Sequence, residues 1–148
     1  MFPLQQKQRI YIFTLIDVCS RWAYARASAR LSAHLLLEFV REAQQKSGFQ
    51  FLCIQSDHGP EFTGHFTTFV QADGVRHRHT RVRQPNDNAH IERFNRTIQE
   101  EMRSEILRYR SNISLLNQEI RKYLVYYNEE RLHMGLDYKT PSQVLRSS

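Results

Sequence analysis

An α/β fold, with a mixed sheet flanked by helices and a helical C-terminal tail, is predicted by three features of this chain. Two runs rich in β-branched and aromatic residues lie on either side of the turn Asp17-Val18-Cys19-Ser20. A third apolar run leads to Asp57, just before a Gly-Pro turn. After about Asn88 the apolar spacing becomes helical and remains so. Strands mixed with helices, then helices alone, is the order of an α/β domain.

Each element follows from local chemistry. The run Arg9–Ile16 is dense in β-branched and aromatic residues and reads as a strand buried on both faces. After the turn, Arg21–Ala27 alternates large and small residues, as the returning strand of a hairpin does. Ser32 is placed as the N-cap of a helix in which Leu35, Leu36, Phe39, Val40 and Ala43 recur at helical spacing until Gly48. Phe49–Ile54 reads as another interior strand. Phe62, Phe66, Phe69 and Val70 predict a short helix closing at Gly74, and Val75–Val82 a brief, basic, exposed edge strand. From Asn88 onward, Ile91, Phe94, Ile98, Met102 and Ile106 mark one face of a long helix. A second helix runs from Ser114 to about Glu130, with Leu116, Ile120, Tyr123, Leu124 and Tyr127 inward. Thr140 caps a last short helix whose first position is Pro141.

At 148 residues, 41% hydrophobic and 11% aromatic, the chain is about one globular domain long and is not of disordered composition. A net charge of +6 suits an anionic partner. The clustering of Arg76, Arg78, Arg81 and Arg83 with His77 and His79 within eight positions turns that toward nucleic acid. Cys19 and Cys53 sit in apolar stretches and read as reduced, buried side chains in a cytoplasmic protein. Ile10–Ile16 stops at Asp17, too short to cross a bilayer, and no cleavage site follows, so no membrane partner is expected.

The chemistry gathers on two acids. Asp57 in Ser56-Asp57-His58-Gly59-Pro60 lies where ligands of open α/β sheets collect, at the carboxyl end of a strand, although an Asp before Gly-Pro is ordinarily a turn residue. Glu92 shares a polar helical stripe with Asn88, Asn95, Arg96 and Gln99, opposite the apolar stripe. Taken alone it would be a solvated helical Glu beside Arg93 and Arg96. The pair, however, can hold divalent cations against a phosphodiester. His77 and His79 alternate along a strand and face one side, a metal pair lacking a third ligand and weighed against a plain basic edge. His133 beside Arg131 is placed either against DNA or as a cap of the preceding helix. Trp22 and the tyrosines are assigned to core or dimer contacts.

Four segments, in order, resemble the integrase core domain of retroviral integrases and bacterial insertion-sequence transposases, within the RNase H-like superfamily. They are Leu15-Ile16-Asp17-Val18-Cys19-Ser20-Arg21-Trp22, Gln55-Ser56-Asp57-His58-Gly59-Pro60-Glu61-Phe62, the run from Pro85 to Thr97, and Tyr126–Leu136 followed by Lys139-Thr140-Pro141. The resemblance covers nearly the whole of residues 1–148 and implies one integrase-type catalytic core. It implies metal-dependent DNA strand transfer with two Mg²⁺ or Mn²⁺ ions, Asp57 binding one and Glu92 the other. It implies DNA as partner, contacted through Arg76, Arg78, Arg81, Arg83, Arg93 and Arg96, and a homodimer or higher multimer. The 35 positions from Asp57 to Glu92 (92 minus 57) fit the family.

The departure is at the front. The family's first catalytic Asp, which bridges both ions, belongs to the strand before Leu15-Ile16-Asp17, and residues 1–16 contain no acid. The expectation is that this first strand lies upstream of Met1, with Asp17 kept only as an alternative third ligand and assigned to its turn or to Arg21. Without the bridge, metal occupancy weakens, and the Arg9–Ile16 strand is left with an open edge. The competing expectation is therefore an incomplete core that binds DNA and dimerises without activity.

Overall fold

The computed structural model describes residues 9–57, 59, 62, 64–80 and 88–147. In chain order the elements are β1 (Tyr11–Ile16), β2 (Ala23–Ser28), α1 (Ala33–Ser47), β3 (Cys53–Ser56), α2 (His65–Ala72), β4 (Arg76–His79), α3 (Ala89–Glu101), α4 (Arg103–Tyr109), α5 (Ile113–Val125) and α6 (Pro141–Ser147). A π-helical turn, Tyr126–Glu130, and a 3-10 turn, Met134–Leu136, lie between the last two. The chain forms two compact units, Met1–Ala29 with His90–Ser148, and Arg30–Ala89. No helix of the described residues is long and apolar enough to cross a membrane.

In the first unit β1 and β2 pair antiparallel, from Tyr11 opposite Ser28 to Ile16 opposite Ala23. Phe13 is the one fully buried residue of β1, so the expected strand covered on both faces is only half covered. An apolar run does not by itself separate these two cases. Burial concentrates instead in β2, at Ala23, Tyr24, Ala25 and Ala27. The three alanines fall at period two on one face, and α5 packs on this strand.

That packing is fixed by two side-chain amides. Asn128 accepts from the Ala23 N–H and donates to the Ala23 carbonyl, each at 2.9 Å. Asn117 does the same to Ala27, at 2.7 and 3.0 Å. Each amide copies the pairing that a neighbouring strand would offer, so backbone groups of β2 are satisfied by a helix.

Beneath α5 lie Leu116, Ile120, Leu124 and Tyr127, with Phe94, Ile98 and Met102 from the preceding helices, all buried as the periodicity predicts. The long helix expected there is interrupted at Met102 (φ −107°, ψ 15°). The hydrogen-bond ladder continues through the interruption, Met102 N–H to Ile98 and Ile106 N–H to Met102, both at 2.9 Å. At the tail, the Thr140 hydroxyl accepts from the Gln143 N–H and the Gln143 side chain accepts from the Thr140 N–H. This reciprocal cap confirms Thr140 and Pro141 as the start of α6.

In the second unit Ser32 caps α1 through Leu35 N–H at 3.1 Å, and Gly48 ends it at φ 82°, in the left-handed region a glycine tolerates. β3 begins only at Cys53, because Phe49–Phe51 are spent on reconnecting from the helix, Phe51 N–H donating to Gln44. Both cysteines are exposed, contrary to the expectation of burial. Cys19 belongs to the hairpin turn, and the apolar stretches around both residues do not continue onto a packed face. β3 and β4 pair parallel, Cys53 with Arg76 to Ser56 with His79, and α2 forms the connection. Arg41 grips Asp73 bidentately at 2.7 and 2.9 Å, linking α1 to the end of α2.

Candidate active site and nucleic-acid interface

Asp57 follows the last residue of β3. Its Oδ1 accepts from the Gly59 N–H at 2.8 Å, the local turn bond expected of an Asp at this position. Its carbonyl accepts from His79 Nδ1 at 2.9 Å and from the Ser56 hydroxyl at 3.2 Å. The backbone is thus anchored to β4 while the carboxylate stays exposed.

At His77, weighed in the sequence as half of a metal pair against a plain basic edge, the structure shows an anchoring role that neither reading contained. Ser56 Oγ lies 2.7 Å from its Nε2, and Thr67 Oγ1 lies 2.7 Å from its Nδ1. The ring also meets Phe66 edge-on at 5.1 Å. Burial, then the neighbouring His79, push its pKa below the usual value. With both nitrogens engaged by hydroxyls, His77 ties β3 to α2 next to Asp57 and is not half of a metal pair. The available signal was the period of β4, which turns 77 inward and 76 and 78 outward.

Glu92 stands exposed in the first turn of α3, where a helix favours negative charge. The rest of its predicted polar stripe divides. Arg96 and Gln99 are exposed. Asn95, in contrast, accepts a hydrogen bond from the Thr14 hydroxyl of β1, which fixes the azimuth of α3 against that strand. Asn95 is therefore part of the architecture. Asp17 is also committed, its Oδ2 accepting from both the N–H (2.9 Å) and the hydroxyl (2.6 Å) of Ser20. Its own N–H and carbonyl close the turn onto Trp22 and Arg21. It caps its turn, as its position suggested. Among the described residues no three His, Cys, Asp or Glu side chains are grouped to hold a metal ion.

Of the arginines singled out, Arg76 and Arg78 are exposed on the outer face of β4, with Arg78 Nε donating to Gln55 at 2.7 Å. Arg93 and Arg96 are exposed on α3. Arg81 and Arg83 lie outside the described residues. In the tail, Arg131 and not His133 caps the π-helical turn, its N–H returning to the Tyr126 carbonyl at 2.8 Å. Arg131 pairs with Glu101 at 3.1 Å, and Glu101 also accepts from the Tyr123 hydroxyl. Burial first, and then this bond, raise the Tyr123 pKa far above its usual value.

An α/β frame of this element order, strands mixed with helices and then helices alone, is that of an RNase H-like core. The sequence pattern of the integrase core domain family matches residues 1–85, and a second integrase core domain pattern matches residues 73–141. The chain belongs to the integrase core domain family. It is 27% identical to a putative integrase of Spiroplasma virus SpV1-C74, over 95% of this chain and 43% of that protein. It is 31% identical to the transposase for insertion sequence element IS904 of Lactococcus lactis, over 89% of this chain and 53% of that one. The chain thus spans about half the length of the curated relatives it matches. Among solved structures, the HTLV-2 integrase catalytic core in complex with magnesium, in a trimeric form, superposes with a TM-score of 0.71 at 20% identity. That match covers 90% of this chain and 82% of the HTLV-2 chain.

Proposed function

We propose that residues 1–148 form the catalytic core of a transposase or integrase, which cuts and joins DNA strands with Mg²⁺ or Mn²⁺. The observation that carries this reading is the pairing of motif and exposure. Asp57 at the end of β3 and Glu92 at the start of α3 stand in the two acidic motifs of an integrase core, and both carboxylates face solvent. As a donor set they are hard oxygen ligands, which fit a hard divalent cation better than a thiolate-seeking one.

In this reading Asp57 holds one ion and Glu92 the other. Bound ions of this kind neutralise charge developing on the attacked phosphate. The chain's own contribution is positional. His79 and Ser56 fix the Asp57 backbone, and the Asn95–Thr14 bond sets the helix that carries Glu92. Arg76, Arg78, Arg93 and Arg96 contact the DNA backbone, as do Arg81 and Arg83, which follow β4 in the sequence. Such contacts position DNA without selecting its sequence. A multimer acting on paired DNA ends in the cytoplasm completes the proposal.

The test is strand transfer with end-bearing oligonucleotides and either metal. Asp57→Asn and Glu92→Gln should each lower the rate about a thousandfold, the scale of several kcal/mol of charge stabilisation. Unchanged joining in either variant overturns the assignment.

One observation favours a second reading. Asp17 is consumed by its turn, and no third acid joins a metal set among the described residues. This supports a core that binds DNA and self-associates without cutting. A Mg²⁺ or Mn²⁺ titration with DNA separates the two, because only a complete site binds metal cooperatively with its substrate.

A further inference from the structure

The first unit contains a cavity of about 590 Å³ between α3, the π-helical turn and the turn that follows it. Arg21, Arg93 and Arg131 all line it, as does His133. We propose that this cavity is a phosphate subsite, in which Arg21 and Arg93 grip one phosphate of a nucleic-acid strand with His133 behind it. The inference rests on the DNA reading above for the source of the phosphate, but not for the site.

Three observations converge. The first is unused charge. Arg131 is committed to Glu101, whereas the guanidinium groups of Arg21 and Arg93 have no hydrogen-bond or ion-pair partner among the described residues. Glu130 also borders the cavity, so two uncommitted cations face one further carboxylate and the balance favours an anion.

The second is the backbone of Arg21, which sits at φ 64°, a left-handed region that side-chain-bearing residues avoid. The turn enforces it, since Asp17 bonds both Ser20 and the Arg21 N–H. A glycine would relieve that strain but leave no guanidinium at the cavity wall.

The third is His133. Its Nε2 is buried without a hydrogen-bond partner, while the ring packs edge-on against Tyr127 at 5.0 Å. A buried nitrogen left unpaired is destabilising, and a ligand atom accounts for keeping it. Burial, and then Arg131, depress its pKa, against a backbone hydrogen bond to Tyr127 that raises it. A tetrahedral anion has enough oxygens to accept from two planar guanidinium forks and from His133 Nε2, which donates once the bound anion has drawn a proton onto the ring. The cavity exceeds the size of phosphate alone, and its apolar wall of Ile16, Phe94 and Leu136 leaves room for the adjoining sugar.

The experiment titrates the full chain with sodium phosphate at constant ionic strength, following the His133 ring by NMR. In parallel, a short DNA duplex of arbitrary sequence is bound at several salt concentrations. Expected results are a phosphate-dependent shift of His133 and an approximately tenfold weaker affinity for phosphate and duplex in both Arg21→Gln and Arg93→Gln. Each variant should also lower the salt slope by about one. Arg103→Gln, outside the cavity, should change neither, and thermal melts confirm that each variant folds. An unmoved His133, or duplex binding and slope unchanged in both cavity variants, overturns the subsite while leaving strand transfer by Asp57 and Glu92 to its own test. Phosphate binding lost in Arg21→Gln, together with no duplex binding by the unaltered chain, keeps the subsite and overturns its assignment to a DNA strand.

Discussion

The two units hold their acidic residues by different devices. In the second unit Asp57 is placed through main chain: the end of a parallel strand, a two-residue turn bond, and a carbonyl held by His79. In the first unit Glu92 is placed through side chains that grip backbone or strand at a distance in sequence. Asn128 and Asn117 clamp β2, and Asn95 holds Thr14 of β1. The acids themselves are exposed in both. Stability and chemistry therefore reside in different residues, and substitutions should separate them.

The largest separation is between Asn128→Ala and Asp57→Asn. Asn128 is 6% exposed, and its removal leaves both the N–H and the carbonyl of Ala23 unpaired. At roughly 1–3 kcal/mol for each of the two buried groups, the loss should be about 2–6 kcal/mol. A chemical melt measures it directly. Asp57→Asn, at an exposed side chain whose local bond an amide oxygen can also accept, should stay within about 0.5 kcal/mol of the unaltered chain while slowing joining about a thousandfold. An Asp57→Asn protein as unstable as Asn128→Ala breaks the comparison.

Asn117 sharpens it. Its clamp on Ala27 has the same two bonds but is only partly buried, so water can replace the amide. Asn117→Ala should cost about 1–2 kcal/mol, less than its counterpart. Because both residues grip one strand, the double variant should depart from additivity. Equal costs at both positions would mean that burial does not set the strength of these clamps.

What could be read from the sequence follows this same division. Periodicity marked the helices, and the caps Ser32, Gly48 and Thr140 were legible because a cap is a short-range event. The two proposed site acids were singled out because their motifs are contiguous. Asn117 and Asn128 were not, since an amide bonding a strand 90 or 105 positions away leaves no local pattern. The anchoring of His77 was missed for a related reason. Its alternation with His79 was correct, but the hydroxyls of Ser56 and Thr67 that occupy its nitrogens come from other elements. The cysteines failed because apolar neighbours in sequence are not the same as a covering layer in space.

A smaller effect is expected with acid. His77 titrates below its ordinary value near 6.5 because burial disfavours the charged ring. The unfolded chain then takes up its proton first, so stability is full above about pH 6.5. It falls as the pH drops toward the lower folded pKa, and levels off beyond it. His90 and His133 shift the same way and contribute to the same loss. His77→Gln should flatten only part of the decline in melting temperature between pH 7 and pH 5. A decline of identical depth in that variant removes His77 from the account.

The smallest expected effect concerns which unit meets DNA. Arg78 is exposed on β4 with its Nε already oriented by Gln55, and Arg96 is exposed on α3. Each phosphate contact releases close to one counterion, so each Arg→Gln change should lower the slope of log affinity against log salt by about 0.9. The change should be alike for duplexes of any sequence, because backbone contacts carry no base information. Orientation by Gln55 reduces the ordering that Arg78 undergoes on binding, so its variant should lose slightly more affinity at equal slope. A slope altered by Arg96→Gln alone would confine the DNA path to the first unit, beside the Arg21–Arg93 cavity. A slope altered by both places phosphate contacts on each unit.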